Sequence, residues 1–234
     1  MRLDNYLVSE NFVESRNKAQ QLIKDKKVFV DNKVVTKSSF KIDGESVKVL
    51  GDDLYVSRAA LKLKSFLPLL PFTCKGMNAL DIGSSTGGFT EVLLEEGVLH
   101  VDAVDVGRDQ LHVRLKDDDR VSSYEQMDIR KFQTKSSYEL VTSDVSFISL
   151  THILDDVDRL AKEWIVVLFK PQFEVGREVK RDNNGVVKDE KAISKAMMSF
   201  EDACTLKGWK LVEKQEAHIR GKEGNIEYCY CYKK

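Results

Sequence analysis

Gly83, Gly87 and Gly88 follow the short apolar run Ala79-Leu80-Asp81-Ile82 and precede Thr90-Glu91-Val92-Leu93-Leu94. That order reads as strand, glycine loop and helix, in which backbone can approach a ligand closely. Val101-Asp102-Ala103-Val104-Asp105-Val106 then reads as a second strand ending in an acid. A carboxylate at that strand end can accept hydrogen bonds from ribose hydroxyls, so the pattern marks a nucleotide-type site. Asp105 can also cap the next helix, and the two roles are compatible. The loop spacing is not the G-x-G-x-x-G of dinucleotide sites, and no Gly-Lys-Ser/Thr follows as in a phosphate-binding loop. Two further strand patterns end in charge. Glu139 to Ser143 leads to Asp144, and the six apolar residues Trp164 to Phe169 lead directly to Lys170. Strand ends of a doubly wound sheet line its ligand crevice. Lys170 therefore either caps its strand toward solvent or works inside that crevice. Lys62 lies on a helical stretch before the glycine loop, and Glu227 lies in the alternating pattern from Ile226 to Tyr232.

The elements that must hold these residues alternate. Ser122 to Met127 reads as a strand leading to Asp128, helices are predicted at 150–162 and 189–207, and Leu211-Val212-Glu213 pairs with the Ile226–Tyr232 pattern. Alternation of strand and helix predicts an α/β domain with a mostly parallel, Rossmann-like sheet. Ahead of it the reading changes. Leu3, Tyr6 and Leu7 have helical spacing, and Ser15 is an N-cap for a helix with Ala19, Leu22 and Ile23 inward. Val28-Phe29-Val30, a turn at Asp31-Asn32-Lys33, Val34-Val35, a turn at Asp43-Gly44 and Val47-Lys48-Val49 then predict short hairpin strands. This is a small α+β module.

Charge divides the chain in the same place. The first fifty residues carry ten Lys/Arg against seven Asp/Glu, or +3, and the remainder 27 against 31, or −4. The total of −1 excludes a simple polycation that coats nucleic acid, while leaving room for a local basic patch. Arg16, Lys18, Lys24, Lys26 and Lys27 gather around the second helix, where they are either a solvated face or a phosphate-contacting one. With 42% apolar residues in 234, the chain can bury a real core. No run approaches the roughly 20 apolar residues of a membrane span, and the N-terminus has no signal-peptide core. Cys74, Cys204, Cys229 and Cys231 have no metal-ligand spacing, so they read as free thiols in a reducing cytoplasm and no metal is called for.

Arg2-Leu3-Asp4, Ser15-Arg16-x-x-Ala19-x-x-Leu22-Ile23 and Val28-x-Val30-Asp31-Asn32-Lys33-x-Val35 resemble the RNA-binding domain named after small-subunit ribosomal protein S-four. The resemblance implies that the second helix presents basic residues to RNA phosphates, assigning Arg2, Arg16, Lys18, Lys24, Lys26, Lys27 and also Arg58 to RNA. Downstream, Asp81-x-Gly83-x-x-x-Gly87-Gly88 resembles the S-adenosylmethionine loop of class I methyltransferases. This implies cofactor binding by Asp81, Gly83, Ser84, Ser85, Thr86, Gly87, Gly88, Phe89, Asp105, Val106 and Asp144, with Asp128 where this fold contacts adenine. Tyr55 to Leu63, Asp81 to Phe89, Ser143 to Leu150, Leu168 to Glu174 and Gly224 to Glu227 occur in order and together resemble the TlyA (haemolysin A) family.

That family joins the S-four-type domain to an FtsJ-like ribosomal RNA 2′-O-methyltransferase. The resemblance implies a domain at 1–52, a linker at 53–60 and an S-adenosylmethionine-dependent methyltransferase at 61–234. It implies a catalytic tetrad of Lys62, Asp144, Lys170 and Glu227. Lys64 is a rival for Lys62, but two residues apart on a helix they face different ways. Ala217-His218-Ile219 stands where relatives often show Ser-Pro-Ile. A ribose 2′-OH is a poor nucleophile and needs a base. Two lysines near one another disfavour each other's charge, so a neutral Lys170 can take the proton. Asp144 would orient both lysines, and Glu227 would hold Lys62 or the ribose. The chain resembles the shorter of the family's two forms, which implies a cytidine of large-subunit ribosomal RNA as target, a cytoplasmic location and a monomer in the absence of RNA. The competing reading is a non-catalytic RNA-binding ribosome-assembly factor. A direct haemolysin is disfavoured for want of a membrane-spanning or barrel pattern.

Overall fold

The computed structural model describes residues 1–10, 12–13, 15–49 and 55–234. The chain forms two compact units, Met1–Val56 and Ser57–Lys234. The expected boundary at 52 and residues 53–54 of the expected linker lie outside the described residues, and residues 57–60 fall within the second unit.

In the first unit, α1 (Leu3–Ser9) and α2 (Arg16–Lys24) precede β1 (Val28–Val30), β2 (Lys33–Val34) and β3 (Val47–Val49). Ser15 caps α2, its Oγ accepting the Lys18 N–H at 3.3 Å. Leu3, Leu7, Ala19, Leu22 and Ile23 close against Val28 and Val30 as the core. The three strands are antiparallel in the order β2-β1-β3. Asp31 and Asn32 both have positive φ (46° and 63°), as a two-residue type I′ turn requires. Lys33, expected in the turn, therefore already pairs with Val30.

The second unit opens with α3 (Ala59–Phe66), followed by β4 (Asn78–Ile82), α4 (Gly88–Glu95), β5 (His100–Val104), α5 (Val113–Lys116) and β6 (Val121–Tyr124). Then come β7 (Tyr138–Ser143), α6 (Leu154–Leu160), β8 (Ala161–Phe169), α7 (Pro171–Glu174), α8 (Glu190–Leu206), β9 (Lys210–Glu216) and β10 (Tyr228–Lys233). The sheet order is β6-β5-β4-β7-β8-β10-β9. β10 runs antiparallel to both neighbours, and the rest is parallel. From β4 the chain winds outward through β5 and β6, then returns to place β7 on β4's other side. That reversal puts the topological switch point, and hence a ligand crevice, beyond the carboxyl ends of β4 and β7. Several expected bounds move, among them the strand expected from Ser122 to Met127, which ends at Tyr124. The helix expected at 150–162 is a 3-10 turn, Leu150–His152, followed by α6, because Ala161 already pairs with Tyr138 in the sheet. The last strand begins at Tyr228 rather than Ile226, so Glu227 precedes it at its site end. Among the described residues, no helix is long and apolar enough to cross a membrane.

Candidate active site

Gly83 turns the chain off β4 with φ 78°. A Cβ there would sit 3.1 Å from the backbone N and Cα of Val145, so any side chain would push that loop back as well as strain the backbone. The other two loop glycines serve packing: a Cβ on Gly87 would strike Leu115, and one on Gly88 would strike Ser57. Beneath the loop, Asp81 is fully buried (0% exposed) and does not line the crevice. Its carboxylate accepts from Thr90 Oγ1 (2.7 Å) and Thr142 Oγ1 (3.0 Å), tying β4 to α4 and β7. This departs from the cofactor contact expected of it. Burial pushes its carboxyl up to about 6, outweighing the two hydroxyl bonds.

The raised value has a consequence for stability. Between the ordinary carboxyl value of 3.8 and about 6, native Asp81 keeps a proton that the unfolded chain has released. Its contribution to stability therefore falls as pH rises through that window, by up to ~3 kcal/mol. Asp81→Asn, which has no such proton to lose, should gain stability relative to wild type by that order between pH 4 and pH 7. Urea unfolding at the two pH values measures it; a pH-independent difference would show that Asp81 is not desolvated as described.

A cleft of about 640 Å³ opens at the switch point. Six expected cofactor residues line it: Gly83, Ser85, Asp105, Val106, Asp128 and Asp144. Ser84, Thr86, Gly87, Gly88 and Phe89 do not line it, and Ser84 and Phe89 are buried. Asp105 is held by the Ser85 N–H (2.8 Å) and the Gly107 N–H (2.6 Å), so the glycine loop and the β5 end share one carboxylate. Asp128 is engaged along its carboxylate edge by Arg130, whose Nη2 lies 2.6 Å away, and this guanidinium lowers its carboxyl to about 2. Asp128, expected to contact adenine, is therefore half of an ion pair that the sequence reading omitted. Also unforeseen are Gly107, Gln110, Met127, Ile129 and Ile148, which complete the walls. Glu125, whose carboxylate accepts the N–H groups of Asp109, Gln110 and Leu111, fixes the loop carrying Gln110.

At the open end of β7 and β8 the four expected catalytic side chains come together. Lys62 Nζ lies 2.5 Å from Glu227 Oε2, and Lys170 Nζ lies 2.7 Å from Asp144 Oδ1. Both lysines and Glu227 are buried, so Lys170 does not cap its strand toward solvent. Lys170 also donates to Ser146 Oγ at 2.8 Å and to the Asp144 carbonyl at 3.3 Å. Gln172 Nε2 donates to Glu227 Oε1 at 3.2 Å. Burial raises the Asp144 carboxyl above its ordinary value despite the opposing charges of Lys170 and Lys62. Lys64 points elsewhere, paired with Glu95 at the surface. Ser146 and Gln172 were missed, although both lie inside sequence blocks already singled out.

In the first unit, Arg2 and Arg16 both donate to Asp4, which is fully buried. Arg2, bonded to it through two nitrogens, holds that carboxyl well below the usual carboxylate range. Lys18, Lys24 and Lys26 are exposed on or just after α2, and Lys27 is half-buried. Arg58 belongs to the second unit, where it precedes α3 and donates to the Arg220 carbonyl at 3.1 Å. All four cysteines are free and buried. Among the described residues, no group of three or more His, Cys, Asp or Glu side chains is arranged to hold a metal ion.

Residues 55–234 match the model of the FtsJ-like methyltransferases, and residues 1–48 match that of the S4 domain. The chain is 46% identical, over 99% of its length and 99% of the relative's, to the 23S rRNA (cytidine-2′-O)-methyltransferase TlyA of Campylobacter jejuni. It is 36% identical, over 97% of its length and 87% of the relative's, to the 16S/23S rRNA (cytidine-2′-O)-methyltransferase TlyA of Mycobacterium tuberculosis. A solved structure from Streptococcus thermophilus is 34% identical and superposes over 100% of this chain and 88% of that one, with a TM-score of 0.73.

Proposed function

The chain belongs to the FtsJ-like methyltransferase family, with an S4 domain ahead of the catalytic unit, and from that premise we propose that it methylates the 2′-hydroxyl of a cytidine in ribosomal RNA, using S-adenosylmethionine. The observation that carries the reading is the pairing of Lys62 with Glu227 and Lys170 with Asp144 beside a nucleotide-sized cleft. The residues present fit the cofactor. About 640 Å³ lies within the range of small-molecule sites. Gly83 leaves open backbone where any Cβ would press on Val145, and Asp105 lines the cleft at the end of β5, offering ribose hydroxyls an acceptor. Ile129, Met127 and Ile148 supply apolar wall for a base. When bound, S-adenosylmethionine supplies an electrophilic methyl group on sulfur.

The chain's own residues do the rest. Lys170 in its neutral form accepts the proton of the ribose 2′-OH at Nζ, which makes the oxygen nucleophilic. Asp144 fixes the position of that Nζ and stabilises the ammonium it becomes. Ser146 holds Nζ from a second direction. Lys62, anchored by Glu227, adds positive charge where the oxygen develops negative charge. Gln172 holds the far oxygen of Glu227 in place. Alignment of oxygen, methyl carbon and sulfur is a matter of positioning, which can supply a large part of the barrier reduction. The basic N-terminal unit supplies RNA affinity by phosphate contact, which positions without reading sequence. Greater identity to the 23S enzyme than to the 16S/23S one supports large-subunit RNA as the target. A monomer working on the ribosome in the cytoplasm belongs to the same reading.

The test is methyl transfer from labelled S-adenosylmethionine to purified large ribosomal subunits by the full chain. Labelled 2′-O-methylcytidine is the expected product after nuclease digestion. Absence of transfer to either subunit and to naked ribosomal RNA would instead favour an assembly factor that keeps the fold.

A further inference from the structure

Asp4 lies in the first turn of α1, yet its side chain is fully buried. It is also crowded with donors. Oδ1 accepts from Arg2 Nε (2.9 Å) and from the Asn5 N–H (3.1 Å). Oδ2 accepts from Arg2 Nη2 (3.0 Å), Arg16 Nη2 (2.9 Å) and Gln20 Nε2 (3.0 Å). The two guanidinium side chains remain 45% and 55% exposed. One carboxylate beneath the surface thus gathers two cations that come from different elements. Arg2 precedes α1 and Arg16 opens α2. Among the described residues, neither guanidinium is used up. Arg2 keeps its Nη1 group and one Nη2 hydrogen, and Arg16 has one hydrogen engaged by Asp4.

We infer that Asp4 is a positioning residue for RNA binding, its buried carboxylate holding Arg2 and Arg16 as a preformed two-guanidinium clamp for phosphodiester groups. The inference rests on the reading of the N-terminal unit as the RNA-contacting one. A free arginine loses rotamer freedom when it grips a phosphate, and a fork already fixed loses less. Asp4 removes that freedom before RNA arrives. A bidentate guanidinium–carboxylate bond also orients the planar group, so its outward edge faces a fixed direction. Bulk electrostatics makes the opposite forecast. Asp4 is a negative charge within a basic module, and its removal should tighten the hold on a polyanion. The sign of the effect therefore separates the two accounts.

The experiment measures the affinity of the full chain for purified large ribosomal subunits across a series of KCl concentrations. Asp4→Asn should weaken binding by about tenfold and reduce the salt slope by roughly one unit for each phosphate no longer gripped. Thermal melting of each variant is followed alongside, and S-adenosylmethionine affinity should be unchanged. Arg2→Lys combined with Arg16→Lys keeps the charge but cannot form the fork, and should weaken binding to a similar extent with Asp4 left in place. Adding Arg2→Gln and Arg16→Gln to Asp4→Asn should cost little more than the arginine pair alone, since Asp4 acts through them. Tighter or unchanged binding by Asp4→Asn, or full affinity of the double lysine variant, overturns the clamp. If Arg2→Gln with Arg16→Gln itself binds subunits as wild type does, the RNA-contacting reading of this face falls, and the clamp with it. Weaker binding in that variant with wild-type binding in Asp4→Asn sinks the role of Asp4 alone.

Discussion

Lys170→Ala is expected to lower kcat for ribose methylation by about 10²–10⁴, a rise of roughly 3–5 kcal/mol in the barrier, with S-adenosylmethionine and RNA still bound. The size follows from what Lys170 is asked to do and from the lack of a substitute. Lys62, the other lysine of the group, is committed to Glu227 at 2.5 Å. Ser146 loses its partner and is far too weak an acid–base group to replace an amine at neutral pH. Asp144 sits in a site that already raises its carboxyl, and with Lys170 gone it takes up a proton more readily still. Lys170→Arg separates two roles. Arginine keeps the positive charge beside Asp144 but cannot give up its proton. If Lys170 is the base, Lys170→Arg should be about as slow as Lys170→Ala. If Lys170 serves only as a fixed cation, the arginine variant should recover most of the rate. Single-turnover methyl transfer to large ribosomal subunits, with cofactor binding checked by calorimetry, gives both readings. A rate near wild type in either variant removes Lys170 as the base.

Lys170 was legible because its surroundings are so apolar. A lysine after six apolar residues reads as a sheet end, which leaves it either capping the strand toward solvent or facing the crevice, and the family resemblance points to the crevice. The glycine loop was legible as a loop, but its residues do separate jobs that spacing alone does not distinguish. Gly83 faces the cleft while Gly87 and Gly88 make room for packing, a distinction set by Leu115 and Ser57, which are remote in sequence. Asp81 reads as a polar residue at a strand end, yet Thr90 and Thr142 enclose it, and the second of these lies on a neighbouring strand. Ser146 and Gln172 follow Asp144 and Lys170 by two residues each, and only closure of the two loops brings them to bear on the two proposed catalytic pairs. Glu125 is the same case for the cofactor loop: its three backbone partners come from a different turn. Local pattern carries the elements and their alternation, while the order β6-β5-β4-β7-β8-β10-β9 is read only from the structure. Which side chains meet across strand ends depends on the register between strands, and a single sequence does not display it.

Gly83→Val should abolish measurable S-adenosylmethionine binding, weakening it by about 10²-fold or more, in a protein that still folds. Two independent costs add. Gly83 has φ 78°, a region that a β-branched residue enters only with strain, on the order of 1–2 kcal/mol. Its Cβ would also meet Val145 Cα, N and Cγ1, all at 3.1 Å. Val145 follows Asp144, so relief of the clash moves the segment that bears the carboxylate proposed to act in catalysis as well as a cleft wall. The valine methyls fill cleft space that backbone otherwise leaves to the ligand. The loss should therefore appear in affinity first and in rate second, the reverse of Lys170→Ala. The sheet itself should survive, since Gly83 lies past the last β4 pair, Ile82 with Val104 and Ser143. Gly83→Ala adds the same φ strain and a single carbon, and should give an intermediate loss if contact with Val145 sets the scale. Calorimetry with S-adenosylmethionine, alongside melting curves for all three proteins, reads the series. Wild-type affinity in a folded Gly83→Val protein would mean that the cofactor does not approach this turn of the backbone, and the assignment of the loop would have to be abandoned.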